Sequence, residues 1–212
     1  MPRATREPEE IRSIKEEILE AATDLICTEG FDAFSMRKLG DRLGMTAANI
    51  YNYYANKSEL YLDIQTRGFL LLNGSFAVVL ERTSDPVERL VGFAWAYVDF
   101  GLKHKDYYDV MLGRNTPKYS DYVGTALEPV ARHEKETAVA VIDLVERVIS
   151  DAIDQRDLRM PFSARVYAIR LWSNLHGLVS LMHTRVLQEV TDDAQEIIDA
   201  IVDEIRQTLL RQ

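Results

Sequence analysis

One short segment constrains this chain more than any other: SMRKLGDRLGMTAANIYNYYANK, which begins at Ser35. Ser35 can cap a first helix through its hydroxyl, and Leu39 and Leu43 then follow four residues apart on one apolar face. Gly44 tolerates the left-handed conformation that closes a helix, and Thr46 can cap a second helix two residues later. The segment therefore predicts two short helices joined by a tight turn, which is helix-turn-helix spacing.

The predicted second helix has a buried side and an outward side. Ile50 and Tyr54 fall four residues apart and are expected to face the core. The outward side carries small, amide or phenolic side chains, namely Ala47, Ala48, Asn49, Asn52 and Tyr53. Such side chains fit a DNA major groove about 12 Å wide, and the amide of Asn49 can pair with an adenine edge.

Charge is distributed unevenly along the chain. The formal net charge is −9, a balance that by itself argues against a nucleic-acid partner. Within the helix-turn-helix segment, however, Arg37, Lys38, Arg42 and Lys57 stand against the single acid Asp41. Because phosphate binding depends on local positive charge, this segment remains suited to DNA.

The order and spacing of these residues resemble the DNA-binding domain of the tetracycline-repressor (TetR) family of bacterial transcription regulators. The similarity covers about residues 11–62 and rests on Gly30-Phe31, Ser35-x-Arg37-x-Leu39, Leu43-Gly44-Met45-Thr46, Ile50-Tyr51 and Lys57-x-x-Leu60. Gly40, Tyr53 and Tyr54 replace the usual alanine, histidine and phenylalanine. Gly40 is expected to cost the first helix about 1 kcal/mol relative to alanine. Tyr54 needs a partner for its hydroxyl if it is buried.

The resemblance implies a set of DNA-contacting positions. Arg37 and Asn49 are expected to face base edges, and Lys57, at the start of a long helix, is expected to contact a phosphate. The alternative for Lys57 is a solvated surface charge. The full predicted set is Arg37, Thr46, Ala47, Ala48, Asn49, Tyr51, Asn52, Tyr53 and Lys57.

The whole chain is predicted to be all-α, with about nine helices in three parts. Residues 1–8 are a flexible arm that either frays or contacts DNA, 9–55 the helix-turn-helix domain, and 56–212 a larger helical domain for ligand binding and dimerisation. Besides the helix-turn-helix, apolar periodicity and capping residues predict helices from Glu9 to Glu29, Asn56 to Arg82, Asp85 to Leu102, Lys105 to Leu112, Pro129 to Gln155, Phe162 to Glu189 and Asp192 to Arg211. A loop is predicted from Gly113 to Asp121.

The last two predicted helices carry surfaces suited to helix pairing. One has a stripe of small residues that permits close approach, at Ser173, Gly177, Ser180 and Thr184. The other carries an apolar seam at Ile197, Ile198, Ile201, Ile205 and Leu209. In the TetR family these two helices pair with their copies in a second chain, so the resemblance implies a homodimer.

Trp172 and His176, followed by Gly177, resemble the W-x-x-x-H-G signature of one class of TetR-family C-terminal domains, the WHG class. Four residues apart, they share one face of a helix. Two interpretations stay open: the pair belongs to the core or the dimer seam, or it lines a ligand pocket. The predicted ligand-binding residues are Trp95, Tyr97, Met111, Trp172 and His176.

Cysteine usage and hydropathy bear on the compartment. Cys27 is the only cysteine, so no intrachain disulfide can form and a cytoplasmic location is expected. The first residues lack the apolar segment of a signal peptide, and no apolar run approaches the roughly 18 residues that a membrane span needs. No membrane association is predicted.

No enzyme, cofactor or metal site is predicted. The four histidines lack the spacing of zinc ligands, and there is no glycine-rich phosphate loop. The resemblance implies a transcription regulator, a repressor that a small apolar or aromatic ligand releases from a palindromic DNA operator. The alternative is a helical small-molecule-binding or interaction module of the same fold that does not bind DNA. The basic, small-residue face between Thr46 and Lys57 favours the regulator.

Overall fold

The structure, a computed structural model, describes residues 7–113 and 116–210. Every regular element within them is helical, so the predicted all-helical class is confirmed. The α-helices are α1 (Pro8–Glu29), α2 (Met36–Leu43), α3 (Ala47–Ile50), α4 (Lys57–Arg82), α5 (Pro86–Lys103), α6 (Lys105–Tyr108), α7 (Tyr119–Tyr122), α8 (Glu128–Arg156), α9 (Ala164–His183), α10 (Leu187–Val190) and α11 (Ala194–Leu210). A π-helix at Asp109–Gly113 follows α6 directly.

Two short helices in the described residues raise the number of α-helices from the predicted nine to eleven. The first, α7, lies in the predicted loop, where the Lys118 N–H donates to the Asp121 carboxylate at 2.7 Å and starts a helical turn. The second, α10, is separated from α9 because Arg185 adopts a left-handed conformation with φ of 61°. The prediction of one helix from Phe162 to Glu189 is therefore wrong.

Capping side chains begin two of the long helices where the sequence predicts them. Asp85 Oδ1 accepts hydrogen bonds from the N–H groups of Val87 and Glu88 at 2.8 and 3.0 Å. Asn56 Oδ1 accepts from the Glu59 N–H at 2.9 Å, and the Glu59 carboxylate accepts a backbone N–H one residue before the cap at 2.6 Å. These bonds satisfy N–H groups that the first turn of a helix leaves unpaired.

The first helix begins one residue before the predicted start at Glu9, and the flexible arm stays a prediction. This helix begins at Pro8, because proline suits the first helical position, where no N–H is needed. Residues 1–6, with Arg3 and Arg6, lie outside the described residues. Arg211, the predicted end of the last helix, does as well.

The described residues pack as two units. The first contains residues 7–68 and Asp109–Glu134, and the second contains Phe69–Tyr108 and 135–210. The first unit therefore includes the beginning of α4, where Leu62 packs with Tyr122 and Ala131. These packing units differ from the domains predicted at 9–55 and 56–212, which stay a prediction about function.

The core of the second unit is built around α5, as its nearly continuous apolar sequence predicts. Its buried side chains include Leu90, Phe93, Tyr97 and Phe100, and Phe93 stacks on Phe76 of α4 with ring centroids 4.4 Å apart. Both α9 and α11 pack against this helix. No helix in residues 7–113 or 116–210 is long and apolar enough to cross a membrane.

Candidate functional site

The turn between α2 and α3 is built by the residues that the sequence identifies. Ser35 Oγ accepts a hydrogen bond from the Lys38 N–H at 3.3 Å and caps α2. Gly44 ends this helix in the left-handed conformation, with φ of 65°. Thr46 Oγ1 then accepts from the Asn49 N–H at 3.2 Å and caps α3. The predicted helix-turn-helix is confirmed at each of these positions.

Gly40 of α2 lies against the backbone of the turn and of the start of α3. A Cβ atom added there would sit 2.7 Å from the carbonyl oxygen of Met45 and 3.2 Å from the backbone nitrogen of Ala47. The helix propensity that glycine loses is therefore offset by a close backbone approach, which the sequence alone did not reveal.

Two buried residues lie on the inner side of α3 and of the turn that follows it. Ile50 is fully buried, and Tyr54 is 2% exposed. The Tyr54 hydroxyl donates to Asp63 Oδ2 at 2.7 Å, which supplies the partner that burial requires. The Lys15 ammonium lies 4.7 Å from the centroid of the Tyr54 ring. Ile50 and Tyr54 thus hold α3 and the turn after it against the core of the first unit.

The predicted second helix is shorter than expected. Regular α-helix ends at Ile50, and a tighter turn continues the chain, in which the Tyr53 N–H donates to the Ile50 carbonyl at 2.9 Å. Most of the predicted DNA-contacting residues lie at least partly exposed around this turn, namely Thr46, Ala47, Ala48, Asn49, Tyr51, Asn52 and Tyr53. Asn52 Nδ2 donates to Asn49 Oδ1 at 3.3 Å, so the two amides form one polar patch.

The positive charge of the helix-turn-helix segment is less available for DNA than the sequence suggests. Lys38 forms an ion pair with Glu29 of α1, and Arg42 forms one with Asp24 of the same helix. Arg37 is exposed and makes no ion pair within the described residues. Two of the four basic side chains are thus matched by acids that lie earlier in the chain.

Lys57 makes contacts within the protein and is not a fully solvated surface charge. Its ammonium lies 4.5 Å from the centroid of the Phe31 ring, and it donates to the Phe31 carbonyl at 3.4 Å. The same ring meets Tyr61 edge-on at 4.6 Å. Removing the Lys57 ammonium would therefore also remove a structural contact.

A chain of hydrogen bonds crosses the second unit. The Trp172 indole N–H donates to the Tyr97 hydroxyl at 3.1 Å, the Tyr97 and Tyr108 hydroxyls lie 3.1 Å apart, and the Tyr108 hydroxyl lies 2.7 Å from His176 Nδ1. The ring of His183 packs edge-on against Tyr108 at 5.2 Å. The four hydrogen-bonded side chains, which come from α5, α6 and α9, thus form one polar cluster.

Burial keeps this cluster uncharged. Tyr97 and Tyr108 are 4% and 2% exposed. Desolvation raises the pKa of Tyr97 to about 12 and raises that of Tyr108 further. The same cause lowers the pKa of the half-buried His176. All three groups are therefore neutral at pH 7.

Comparison with known proteins identifies the family. A family model described as "Bacterial regulatory proteins, tetR family" matches residues 18–64, and a second, "Tetracyclin repressor-like, C-terminal domain", matches residues 90–205. The chain belongs to the TetR family. The narrower resemblance to the WHG class stays a prediction.

The chain is also similar to individual proteins along most of its length. The HTH-type transcriptional repressor KstR2 of Mycolicibacterium smegmatis is 22% identical over 166 residues, which cover 78% of this chain and 79% of KstR2. The structure of a protein of unknown function from Rhodococcus sp. RHA1 has a TM-score of 0.75 at 22% identity and covers 98% of both chains. The structure of AibR in complex with isovaleryl coenzyme A and operator DNA has a TM-score of 0.66 at 22% identity, over 89% of this chain and 95% of AibR.

Only three of the five predicted ligand residues of this TetR-family chain come together. Tyr97, Trp172 and His176 belong to the polar cluster. Met111 is buried in the first unit. Trp95 is half-buried and makes no ring contact or hydrogen bond within the described residues. Tyr108 links Tyr97 to His176 and is absent from the predicted set, because its central place could not be inferred from spacing.

A separate groove in the second unit is too small for a typical effector. It encloses about 70 Å³ between α5, α8, α9 and α11, whereas sites for drug-sized ligands occupy about 300–1,000 Å³. Its apolar lining includes Leu90, Ile149, Leu171, Ile205 and Leu209. Within residues 7–113 and 116–210, no group of three or more His, Cys, Asp or Glu residues is placed to hold a metal ion.

Proposed function

We propose that two copies of this chain form a cytoplasmic homodimer that represses transcription at a palindromic operator, and that a small apolar or aromatic molecule bound in the second unit releases it. The outward face of α3 and the following turn carries this proposal. The amides of Asn49 and Asn52 are paired there, over the buried Ile50 and Tyr54. Arg37 of α2 adds an exposed cation in the same unit. Such a face fits the edges of base pairs in the major groove.

Reading and positioning are assigned to different groups. Arg37 and Asn49 are proposed to contact base edges, since Arg pairs with guanine and Asn with adenine in bidentate geometry. Lys57 and the N-terminal N–H groups of α4 are proposed to contact phosphates. Lys38 and Arg42, already paired with acids, are expected to add less to the affinity.

Exposed apolar side chains on α9 support dimerisation. Val166, Ile169 and Leu181 are each 39–44% exposed, and Ile197 of α11 is 37% exposed. Apolar side chains exposed at several positions of one helix offer a surface that a partner chain could cover. A two-fold dimer would bury these positions and place two recognition units on one DNA site.

Release is proposed to be a difference in binding energy between two states, with no chemistry on the ligand. Half-sites recur at about 34–36 Å along DNA, so a change of a few ångströms in the separation of the two recognition units weakens binding. KstR2 is named a transcriptional repressor, which supports repression. The structure of AibR in complex with isovaleryl coenzyme A and operator DNA supports a regulator that binds both a small molecule and DNA.

Three measurements test the proposal. Genomic DNA fragments retained by the purified protein should share a palindromic sequence, and light scattering should report twice the chain mass of 24.3 kDa at micromolar concentration. Asn49→Ala should then cost roughly 1–3 kcal/mol on the retained sequence and little on scrambled DNA. Equal losses on both DNAs would remove Asn49 as a reading residue, and no retained DNA at all would favour the ligand-binding module without DNA binding.

A further inference from the structure

The hydrogen-bond chain of the second unit has a fixed direction. An indole N–H can only donate, so the Tyr97 oxygen accepts from Trp172. Among the described residues, the hydrogen of the Tyr97 hydroxyl then has one acceptor within hydrogen-bond distance, the Tyr108 oxygen. If the second bond ran the other way, a hydroxyl hydrogen on a residue 4% exposed would have no partner, at a cost typical of a buried unsatisfied group. The chain therefore runs from Trp172 through Tyr97 to Tyr108.

This direction determines the tautomer of His176. The Tyr108 hydroxyl accepts from Tyr97 and donates to His176 Nδ1, at 2.7 Å. A neutral imidazole that accepts at Nδ1 carries its proton on Nε2. That Nε2–H has no partner within the described residues, and it is not among their buried unpartnered atoms. The Nε2–H group is therefore an accessible donor, and its protonation is determined by Trp172, Tyr97 and Tyr108.

An aromatic surface lies next to this donor. Trp172 is 41% exposed, and its ring centroid lies 6.3 Å from that of His176. The pair combines one hydrogen-bond donor with one apolar face. A ligand that matches both has an acceptor atom attached to a flat or compact apolar group.

We propose that His176 Nε2–H and the Trp172 ring form a subsite for the carbonyl or carboxylate oxygen of the effector, with Tyr108 as the residue that positions the imidazole. The subsite rests on the proposed function only in taking its occupant to be that effector. A donor-only group, such as an ammonium, is rejected there, because Nε2–H cannot accept. The rival occupant is a second copy of the chain, whose acceptor would cover His176 in the dimer.

The first test needs no ligand. Nitrogen-15 NMR of the intact protein, well above the ordinary histidine pKa, should show His176 protonated at Nε2 and unprotonated at Nδ1, with its signals assigned by their loss in His176→Gln. Tyr108→Phe removes the donor to Nδ1 and should give a mixture of tautomers. A proton on Nδ1 in the unaltered protein would overturn the direction of the chain and the proposal with it.

The second test uses two probes of nearly the same shape, acetophenone and α-methylstyrene, of which only acetophenone has an acceptor. Acetophenone should shift the His176 Nε2–H signal and bind about three- to tenfold more tightly, the range that one net hydrogen bond supplies. Tyr108→Phe should abolish this preference. The matched control is Tyr167→Phe. Tyr167 lies on α9, as His176 does, but outside the chain of hydrogen bonds, so this variant should preserve the preference.

Other results exclude the subsite. Equal affinity for the two probes, or no shift of the His176 signal by either, would show that the donor does not recognise an acceptor. A Nε2–H signal that changes with protein concentration and resists acetophenone would assign the position to a second copy of the chain. DNA retention is measured separately, so loss of the subsite with operator binding intact leaves the repressor proposal standing. Probe binding without operator binding would support the subsite and contradict the repressor proposal.

Discussion

Lys57→Met gives the sharpest test of how the DNA-binding unit divides its positive charges. The substitution removes the ammonium and keeps most of the apolar stem. In the free protein, that ammonium lies 4.5 Å from the Phe31 ring centroid, with a long bond of 3.4 Å to the Phe31 carbonyl. A partly exposed cation–π contact contributes about 0.5–1 kcal/mol. For a chain of this length, the melting temperature should therefore fall by about 1–4 °C.

The effect on DNA binding has a different signature. Each phosphate contact contributes about 0.9 to the slope of log affinity against log salt, so losing one per protomer should reduce the slope of the dimer by about two units. The ratio of affinities at 50 and 200 mM salt should shrink by about tenfold. The loss should be equal on operator and scrambled DNA, because phosphates carry no sequence information.

Lys38→Met is the matched control. Its ammonium is paired with Glu29 and also donates to the Ala33 carbonyl at 3.0 Å, so its charge is already compensated. Filter-binding or anisotropy titrations at four or five salt concentrations compare the two variants. The reasoning fails if Lys57→Met leaves the salt slope unchanged while Lys38→Met lowers it, since the paired lysine would then be the phosphate contact.

Three further predictions concern stability, measured by urea unfolding at fixed protein concentration. Tyr61→Phe should cost about 1–2 kcal/mol, because the buried hydroxyl donates to the Val110 carbonyl at 2.9 Å, whereas the exposed Tyr51→Phe should change little. Asp85→Ala should cost about 1 kcal/mol through the lost helix cap, and retention of most stability in Asp85→Asn would be its control. The lowered pKa of His176 means that the unfolded chain binds more protons below about pH 6.5. The unfolding free energy should therefore fall as pH drops from 6.5 towards that lowered pKa, and His176→Gln should flatten this dependence.

The sequence by itself determined the features that depend on a few neighbouring residues. Caps at Ser35, Thr46 and Asp85, the left-handed Gly44 and the buried Ile50 all follow from local hydrogen bonding, backbone conformation and helical period. These constraints act within one or two turns of a helix, so they can be inferred before any tertiary contact is known. The family assignment followed from the same residues.

Local rules also set the limits of the sequence prediction. The helix through Phe162 to Glu189 was predicted as continuous, because its apolar period continues past Arg185. Backbone conformation at that one residue ends it. Gly40 was interpreted as a weak helix former, because the carbonyl of Met45 that approaches it lies across the turn. At Gly40 a close packing contact outweighed a propensity of about 1 kcal/mol.

Only the tertiary structure decided which polar side chains meet. Lys57 reaches Phe31 across 26 residues of sequence, and Tyr108 reaches His176 across 68. Arg42 and Lys38 count as positive charges in the sequence, yet acids of α1 pair with both. Periodicity shows which face of a helix is buried, but the neighbour on that face depends on how separate helices pack. For that reason the outward face of α3 could be predicted from sequence, whereas the hydrogen-bond chain that ends at His176 could not.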